Sequence, residues 1–375
     1  MPTKNPCFLH LIPSLGAGGA EKQLIYLSGG LALEGWDVHV AFTARGPNIN
    51  LLEASGATLR PIPVSSNYDL MMIPRIVRHI REAEPAIIQT WNPMMDMLGG
   101  PIARFMRIPW IMSERASPDF SPRTAKIALR EWLGRFATGI VSNSQSGDEY
   151  WSRHAGPHTQ RFVVRNVLPL DQIAAVKPAD PATFNLPSDA PLVLYAGRFE
   201  DQKNIDMLVS GIARALADCD AVALLCGEGP LRNNAIRKFE RLGLSGRVRL
   251  PGFVPDIWSW LKRAELMISV SHFEGMPNTV MEAMACRCAL VVSEISMHRE
   301  ILDESSAVLV DRTNSESIAQ AILGVLRDPE SAERRIDAAY ERAIRWSITS
   351  GTRDYARVYC ELAGICEPSA GSNTI

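Results

Sequence analysis

"LMISVSHFEGMPNTVMEAMA", residues 266–285, holds the change of pattern on which the fold reading turns. The opening run "LMISVS" is apolar and small, as a buried strand is, and "NTVMEAMACR" has helical character. Between them lies a loop containing Glu274, Gly275, Met276 and Pro277. Gly275 suits backbone dihedrals denied to other residues. Pro277 suits the first turn of a helix, where its missing N–H would be unpaired in any case. The segment therefore predicts strand, sharp loop, helix, with Glu274 in the loop and Glu282 on the helix. On one continuous helix, carboxylates eight positions apart would stand about 12 Å from each other; the break lifts that limit. The N–H groups near Asn278, Thr279 and Val280 then form a helix end that attracts anions. The two carboxylates become acceptors for hydroxyl groups. The competing reading makes Glu274 a helix cap and Glu282 a solvated helix residue.

The same alternation runs through the chain. "CFLHLIPSL", "WDVHVAF", "AIIQT", "PWIMS", "GIVSNS" and "RFVVRN" are short β-rich runs separated by helical patterns, the mark of βαβ units and parallel sheets. Five prolines follow between Val167 and Pro191, where no periodic element stands out, which reads as a linker. The alternation then restarts with "PLVLYAG", "AVALLCG", "RVRLPGF", "LMISVS" and "ALVVSE". The expected architecture is α/β, with two doubly wound, Rossmann-like domains facing across a cleft and ligands at the carboxyl ends of the strands. The expected divisions are a first domain over 1–170, a linker over 171–190 and a second domain over 191–345. A helix over 346–366 returns to the first domain, and 367–375 form a disordered tail.

Composition narrows the classes. Of 375 residues, 46% are apolar and 21% charged, which describes an ordered globular chain, long enough for two cores. A formal net charge of −2 supplies no global attraction to nucleic acid. Seven cysteines, with no C-x-x-C pair, fit a reducing compartment. The N-terminus reads as a strand rather than a signal peptide, and no run approaches the roughly 18 apolar residues of a membrane-spanning helix. A cytoplasmic setting is expected, with contact to the inner face of the cell membrane left open.

A second loop changes the weight of the first. In "YAGRFEDQKNIDMLV", residues 195–209, Arg198 and Lys203 follow a strand and project from the carboxyl edge of a sheet. A diphosphate calls for such a pair, Arg forking across two oxygens and Lys adding a point charge. Two solvated surface cations are the plainer alternative. "LLCGEGPLRNNAI" adds a glycine-rich turn, and "RLPGFVPDIWSWL" ends a strand at Gly252–Val254, with backbone that could face a nucleobase. Turn chemistry alone would account for either.

The order of these stretches resembles one family. "AGRFEDQKNID", "GEGP", "LPGFVPD" and "SHFEGMPNTVMEAMA" occur as in the retaining glycosyltransferases of the GT-B fold, specifically glycosyltransferase family 4, and the likeness spans nearly the whole chain. "HLIPSLGAGGAEKQL" is similar to the family's amino-terminal glycine loop, and "VVRNV" to its crossover into the linker. The resemblance implies that Glu274 holds the transferred sugar, Glu282 the ribose, and Arg198 and Lys203 the diphosphate of a nucleotide sugar. It implies that Gly16, Gly18 and Gly19 approach that diphosphate, with Gly275, Met276, Asn278, Thr279 and Val254 completing the donor site. Two departures stand out: "CRCAL" (286–290) where the family often has glycine and proline, and "SMHRE" (296–300) where it has a double glycine. The second bears on how the far side of the sugar is held. "QTWNP" (89–93) and "SERAS" (113–117) lie where many members carry histidines, so no acceptor-side histidine is assigned. Glu114 or Arg115 could substitute, a surface ion pair being the alternative.

Departure of a nucleoside diphosphate builds negative charge that Arg198, Lys203 and the helix end can stabilise without a metal. No cofactor is therefore expected beyond the nucleotide sugar as co-substrate. "DCD" (218–220) resembles an acidic metal pair but precedes a strand, away from the ligand edge. Retention of configuration, a UDP- or GDP-linked hexose, and a glycan or lipid-linked acceptor in surface polysaccharide or glycolipid synthesis are what the resemblance implies. The amino-terminal half then takes the acceptor. In "SPRTAKIALREWLGRFA" Arg123, Lys126 and Arg130 fall on one helical face, which could meet an anionic membrane surface or a lipid-linked diphosphate; the alternative is a core-packed helix with a solvated basic face. Two rivals remain. "GAGGAE" could be an NADP loop with Arg45 near a 2′-phosphate, although the spacing is not G-x-G-x-x-G. A sugar-nucleotide epimerase or binding protein could share the fold.

Overall fold

Each half of the chain builds its own parallel sheet, because every strand is followed by a helix long enough to carry the chain back to the starting edge. The computed structural model describes residues 5–16, 18–66, 69–115 and 124–365. They divide into two units, Met1–Val167 with Ile348–Ile375, and Leu168–Ser347. The tail over 367–375 lies outside the described residues, as does Arg123.

The first unit runs β1 (Cys7–Ser14), α1 (Gly19–Leu33), β2 (Asp37–Ala44), α2 (Ile49–Glu53), β3 (Thr58–Pro61), α3 (Met72–Ala83), β4 (Ile87–Thr90), α4 (Pro93–Phe105), β5 (Trp110–Glu114), α5 (Ala125–Gly134), β6 (Gly139–Ser142), α6 (Gln145–His154) and β7 (Gln160–Val163). The strand order is β3-β2-β1-β4-β5-β6-β7, with Phe8 beside both Val38 and Ile87 in parallel register. Alternation along β1 sends Phe8 and Ile12 into one core and Leu9 and Leu11 into the other. A strand buried on both faces reads as continuously apolar, which is why "CFLHLIPSL" shows no polar alternation.

The second unit opens with α7 (Leu170–Ala175) and continues with β8 (Leu192–Ala196), α8 (Ile205–Ala217), β9 (Val222–Cys226), α9 (Arg232–Arg241), β10 (Val248–Gly252), α10 (Ile257–Arg263), β11 (Leu266–Ser269), α11 (Asn278–Ala285), β12 (Ala289–Ser293), α12 (Ser296–Ile301), β13 (Val308–Val310), α13 (Ser315–Arg327) and α14 (Pro329–Ala343). Its order is β10-β9-β8-β11-β12-β13. The chain leaves β8 toward β9 and β10, then returns to β11 on the other side of β8. Ligand crevices form at such a reversal, at the carboxyl ends of the two strands.

The expected linker is different in the structure. Residues 171–190 contain most of α7 and a 3₁₀ turn over Pro181–Phe184, with the Asp180 carboxylate accepting from the Ala182 N–H at 2.9 Å. Ile173, Pro181 and Leu186 are buried, and Lys262 Nζ donates to the carbonyls of Ala174 and Val176 at 2.9 and 2.7 Å. Prolines break the periodicity there, but the apolar residues between them still pack, and the segment straps the second unit.

The last helix, α15 (Ile348–Ala363), belongs to the first unit and packs on α1. Gly30 of α1 permits this approach, since a Cβ there would lie 1.9 Å from the Thr352 hydroxyl oxygen. Tyr355, Tyr359 and Leu362 are buried in the same core as Phe8 and Leu24.

One expectation for the first unit fails. Arg130, assigned to a basic outer face of α5, is buried: its Nε donates to Asp96 at 2.6 Å, its Nη1 to Glu114 at 2.6 Å and its Nη2 to the Ser113 carbonyl at 3.1 Å. Glu114, which ends β5, is also inside and accepts from Trp151 Nε1 at 2.9 Å. Thr90 Oγ1 donates to Asp96. Burial raises the Asp96 pKa, opposed by Arg130 and Thr90. The cause is local: two carboxylates under α5 have no access to water, and a guanidinium is the cation whose fork serves both. Neither Arg130 nor Glu114 can therefore meet a membrane or an acceptor from the protein surface, whereas Lys126 is exposed. Removing one partner of a buried ion cluster leaves the rest uncompensated, so Arg130→Met is expected to cost about 3–5 kcal/mol. Denaturant unfolding measures it, and adding Asp96→Asn and Glu114→Gln is expected to recover most of the loss.

Candidate active site

The carboxyl ends of β8 and β11, at the reversal of strand order, bring loops of the second unit together. After β8 the chain turns through Gly197 and Arg198, makes a 3₁₀ turn over Asp201–Lys203, and enters α8 through Asn204, which holds φ at 54°. Asn204 pins this loop to its neighbours, its Nδ2 donating to the carbonyls of Val270 and Arg312 at 3.1 and 2.8 Å. An asparagine tolerates the left-handed backbone that the turn requires.

That turn delivers Lys203 to Glu274, 71 residues further along. Lys203 Nζ lies 2.5 Å from Glu274 Oε1, with the side chains 20% and 6% exposed. Ser271 Oγ donates to the same oxygen at 2.6 Å, and Gln202 Nε2 to Glu274 Oε2 at 3.3 Å and to the Phe273 carbonyl at 3.0 Å. Glu274 is thus a buried, fully engaged carboxylate and not a helix cap. Pro277 is itself the N-cap of α11 and contributes no side-chain hydrogen bond to that end. Asn278 and Thr279 form its half-buried first turn, and Glu282 follows one turn on from Asn278, on the same face and buried. The solvated alternative for Glu282 does not hold.

Other expected residues fall differently. Arg198 reaches the same edge but is 69% exposed, paired at 3.0 Å with Glu200. Its backbone carbonyl accepts from the Tyr195 hydroxyl at 2.9 Å, and burial pushes the Tyr195 pKa up, aided by Glu274 and Glu200. Met276 belongs to the hydrophobic core beneath the loop, so its side chain packs rather than lines the crevice. Val254 is half-buried after β10, on the edge of that core. Gly275 is half-buried and is not among the glycines with positive φ; the left-handed backbone expected there sits instead at Gly227, Gly229 and Gly252, with φ of 138°, 149° and 92°. Their task is close approach: a Cβ on Gly227 would lie 1.9 Å from the Gly197 carbonyl oxygen, and one on Gly229 2.5 Å from that of Phe199. Backbone bonds run between the same loops, Gly197 N to the Cys226 carbonyl at 3.0 Å and Phe199 N to that of Glu228 at 2.8 Å.

Sequence reading missed His298 as a contributor. It sits on α12 inside "SMHRE", fully buried, its Nδ1 2.7 Å from the Ser293 carbonyl, which fixes the proton on Nδ1. Burial lowers its pKa and keeps it neutral, with Glu274 and Lys203 close enough to contribute. Nε2 has no hydrogen-bond partner among the described residues. Departure from the family pattern was the signal available; its burial beside the Glu274 loop was not.

In the first unit Gly18 is the N-cap of α1 and Gly19 its first residue, while Gly16 accepts a bond from Asn48 through its carbonyl. Arg45 lies beside Glu53 at 3.8 Å. Where acceptor histidines were sought, Trp91 Nε1 donates to His10 Nδ1 at 3.1 Å, and burial, with Arg115 nearby, lowers the His10 pKa to about 3. Arg115 stacks 4.4 Å over Trp91 and donates to Asn166 at 2.8 Å. Among the described residues, Cys7, Asp37 and His39 form the one group able to hold a metal ion. They lie at the amino ends of β1 and β2, and Arg60 Nε and Asp37 already occupy the two ring nitrogens of His39, at 3.2 and 3.0 Å. "DCD" follows α8 on the amino side of β9, away from the crevice.

Solved structures share the whole architecture. The Anabaena Alr3699/HepE crystal structure in complex with UDP and glucose superposes with a TM-score of 0.83 at 19% identity, over 95% of this chain and 100% of that one. A glycosyltransferase from Rickettsia africae ESF-5 gives 0.82 at 17% identity, over 96% and 98%. By sequence, the lipopolysaccharide core biosynthesis glycosyltransferase LpsE of Rhizobium meliloti (strain 1021) is 24% identical across 90% of this chain and 89% of its own. These define a glycosyltransferase of the GT-B fold. The Glycosyltransferase Family 4 model matches residues 17–172 and the Glycosyl transferases group 1 model residues 176–342. The chain belongs to the group 1 glycosyltransferases of family 4.

The Lys203–Glu274 contact yields a direct check. Lys203→Met leaves a buried carboxylate without its cation and is expected to lower stability by roughly 1–3 kcal/mol. Lys203→Met with Glu274→Leu is expected to regain stability in denaturant unfolding.

Proposed function

We propose that the protein moves a hexose from a UDP-sugar, or a GDP-sugar, to a hydroxyl of a glycan or lipid-linked acceptor, with retention of configuration and without a metal. Arg198, Lys203 and the α11 end take the diphosphate, Glu274 orients the sugar and Glu282 the ribose. Asn278, Thr279 and the backbone at Gly275 and Met276 line the same loop, with Val254 toward the base. The observation that carries this reading is the convergence of Lys203 and Glu274 at the β8–β11 reversal, beside the amino end of α11. A buried carboxylate next to a cation suits a ligand that is anionic at one end and rich in hydroxyls at the other.

The chemistry follows from charge. As the sugar–diphosphate bond breaks, negative charge grows on the diphosphate, and Arg198, Lys203 and the helix end stabilise it increasingly toward the transition state. The attacking hydroxyl approaches from the face the diphosphate leaves and gives its proton to a diphosphate oxygen. The relatives fit surface-polysaccharide or glycolipid synthesis at the inner face of the cell membrane: one is named for lipopolysaccharide core biosynthesis. Another, a Campylobacter jejuni transferase 30% identical over 43% of this chain and 44% of its own, is named for a diphospho-undecaprenol acceptor. An epimerase on the same architecture would turn over nucleotide sugar with no acceptor present.

A thermal-shift panel of UDP, GDP and ADP with their common sugars is expected to single out UDP-sugars, and chelator to leave turnover unchanged. Glu274→Ala is expected to lower kcat by about 100-fold or more, while thermal shift with UDP alone still reports binding. An inverted anomeric product would refute the mechanism.

A further inference from the structure

We propose that His298 is a positioning residue for the reaction, holding the Glu274 carboxylate in place through a buried chain of hydrogen bonds that runs from α12 across the ends of β12 and β11. The role rests on the reading of Glu274 as the group that orients the transferred sugar. It gives a task to "SMHRE", the segment where the chain departs from the double glycine of its family.

The links follow one another without a gap. His298 Nδ1 donates to the Ser293 carbonyl at 2.7 Å. The same carbonyl accepts from the Ile295 N–H at 2.9 Å, so both of its lone pairs are used. Ser293 Oγ gives its one proton to the Ser271 carbonyl at 2.8 Å, which leaves it only an accepting side toward His298 Nδ1, 3.4 Å away. Ser271 Oγ in turn donates to Glu274 Oε1 at 2.6 Å. Topology explains why side chains are needed here. The ladder between β11 and β12 ends with Ser269 beside Val292, short of Ser271, and the backbone no longer ties the two chain segments together. The Ser293 hydroxyl takes over that task, and His298 fixes the residue that carries it.

The ring is not there to fill space. α12 gives Met297, Ile301 and Leu302 to the core beneath, and an apolar side chain among them would pack at no polar cost. His298 is fully buried instead, with Nε2 unpaired among the described residues. A buried acceptor without a partner is destabilising, and the Nδ1 bond is what offsets it. Ser293, Ser271 and Glu274 are buried as well, so water does not compete for the links and each polarises the next. Burial lowers the His298 pKa, with Glu274 and Lys203 acting on it in opposite senses. The neutral ring therefore orients the carboxylate without competing with Lys203 for its charge.

The test uses the full chain. His298→Leu removes the bond and keeps an apolar side chain in the core; His298→Asn puts an amide donor where Nδ1 stands, and His298→Gln puts it where Nε2 stands. Kinetics follow UDP released to water from UDP-glucose and from UDP-N-acetylglucosamine, which needs no acceptor. His298→Leu is expected to lower kcat about 10- to 100-fold through a misplaced carboxylate, with UDP affinity by calorimetry unchanged. His298→Asn is expected to recover most of the loss and His298→Gln little of it. In a Glu274→Ala background His298→Leu is expected to add little, because the chain then has nothing to position. A ligand-free crystal structure of His298→Leu is expected to show the Glu274 carboxylate turned away from Ser271. Should His298→Leu not fold, Ser293→Ala, which deletes a single oxygen, is held to the same expectations. A carboxylate still on Ser271, wild-type kcat in the variant, equal recovery by Asn and Gln, or a loss that adds fully to that of Glu274→Ala would each overturn the proposal. Wild-type protein that neither binds UDP nor turns over nucleotide sugar would sink the proposed function instead, and the crystal structure of the variant would still decide whether His298 positions Glu274.

Discussion

The Lys203–Glu274 ion pair is the contact around which the second unit is arranged. Its partners come from loops 71 residues apart and meet only because β8 and β11 are neighbours while the chain between them visits β9 and β10. A carboxylate this deeply placed needs a cation and donors, and Lys203, Ser271 and Gln202 provide them. Two of these donors are fixed in turn. Asn204 holds the turn that presents Lys203, and Ser293 Oγ donates to the Ser271 carbonyl at 2.8 Å. The second unit therefore holds this carboxylate and ammonium in one fixed arrangement through its own contacts.

Glycines set the second constraint. The loops after β8, β9 and β10 lie backbone against backbone, closer than any side chain would allow, at Gly227 against Gly197 and Gly229 against Phe199. This packing is what makes "GEGP" and "AGRF" read as a linked pair despite the distance between them in sequence. It holds the loop bearing Arg198 in place, although the Arg198 side chain itself extends into solvent. The side chain is exposed and paired with Glu200 at 3.0 Å, while the loop that carries it is held by backbone packing.

The legible parts of the fold were those governed by local pattern: strands buried on both faces read as continuous apolar runs, and helices between them as amphipathic stretches. The Glu274 loop was legible because glycine, proline and two acids compress several backbone demands into one segment. What stayed hidden depended on partners distant in sequence. His298 carries no sign in "SMHRE" that its ring closes on the Ser293 carbonyl, and 171–190 carries no periodicity although Ile173 and Leu186 are buried. The family resemblance put Met276 in the donor site, yet the core beneath claims its side chain.

The α5 helix shows how a helical-wheel reading inverts. Pattern alone puts Leu129, Trp132 and Phe136 inward and the cations outward, the usual economy of a surface helix. The sheet beneath decides otherwise: Asp96 and Glu114 end up where water cannot solvate them, and Arg130 turns in to meet both. Rotating the helix to satisfy two buried charges carries its aromatic side chains outward on the opposite face. Both changes work against stability in water, since a buried ion triad gains little over apolar packing and exposed aromatic area gains nothing. The helix thus gives up the economy of an amphipathic surface helix to the two carboxylates that the sheet buries beneath it.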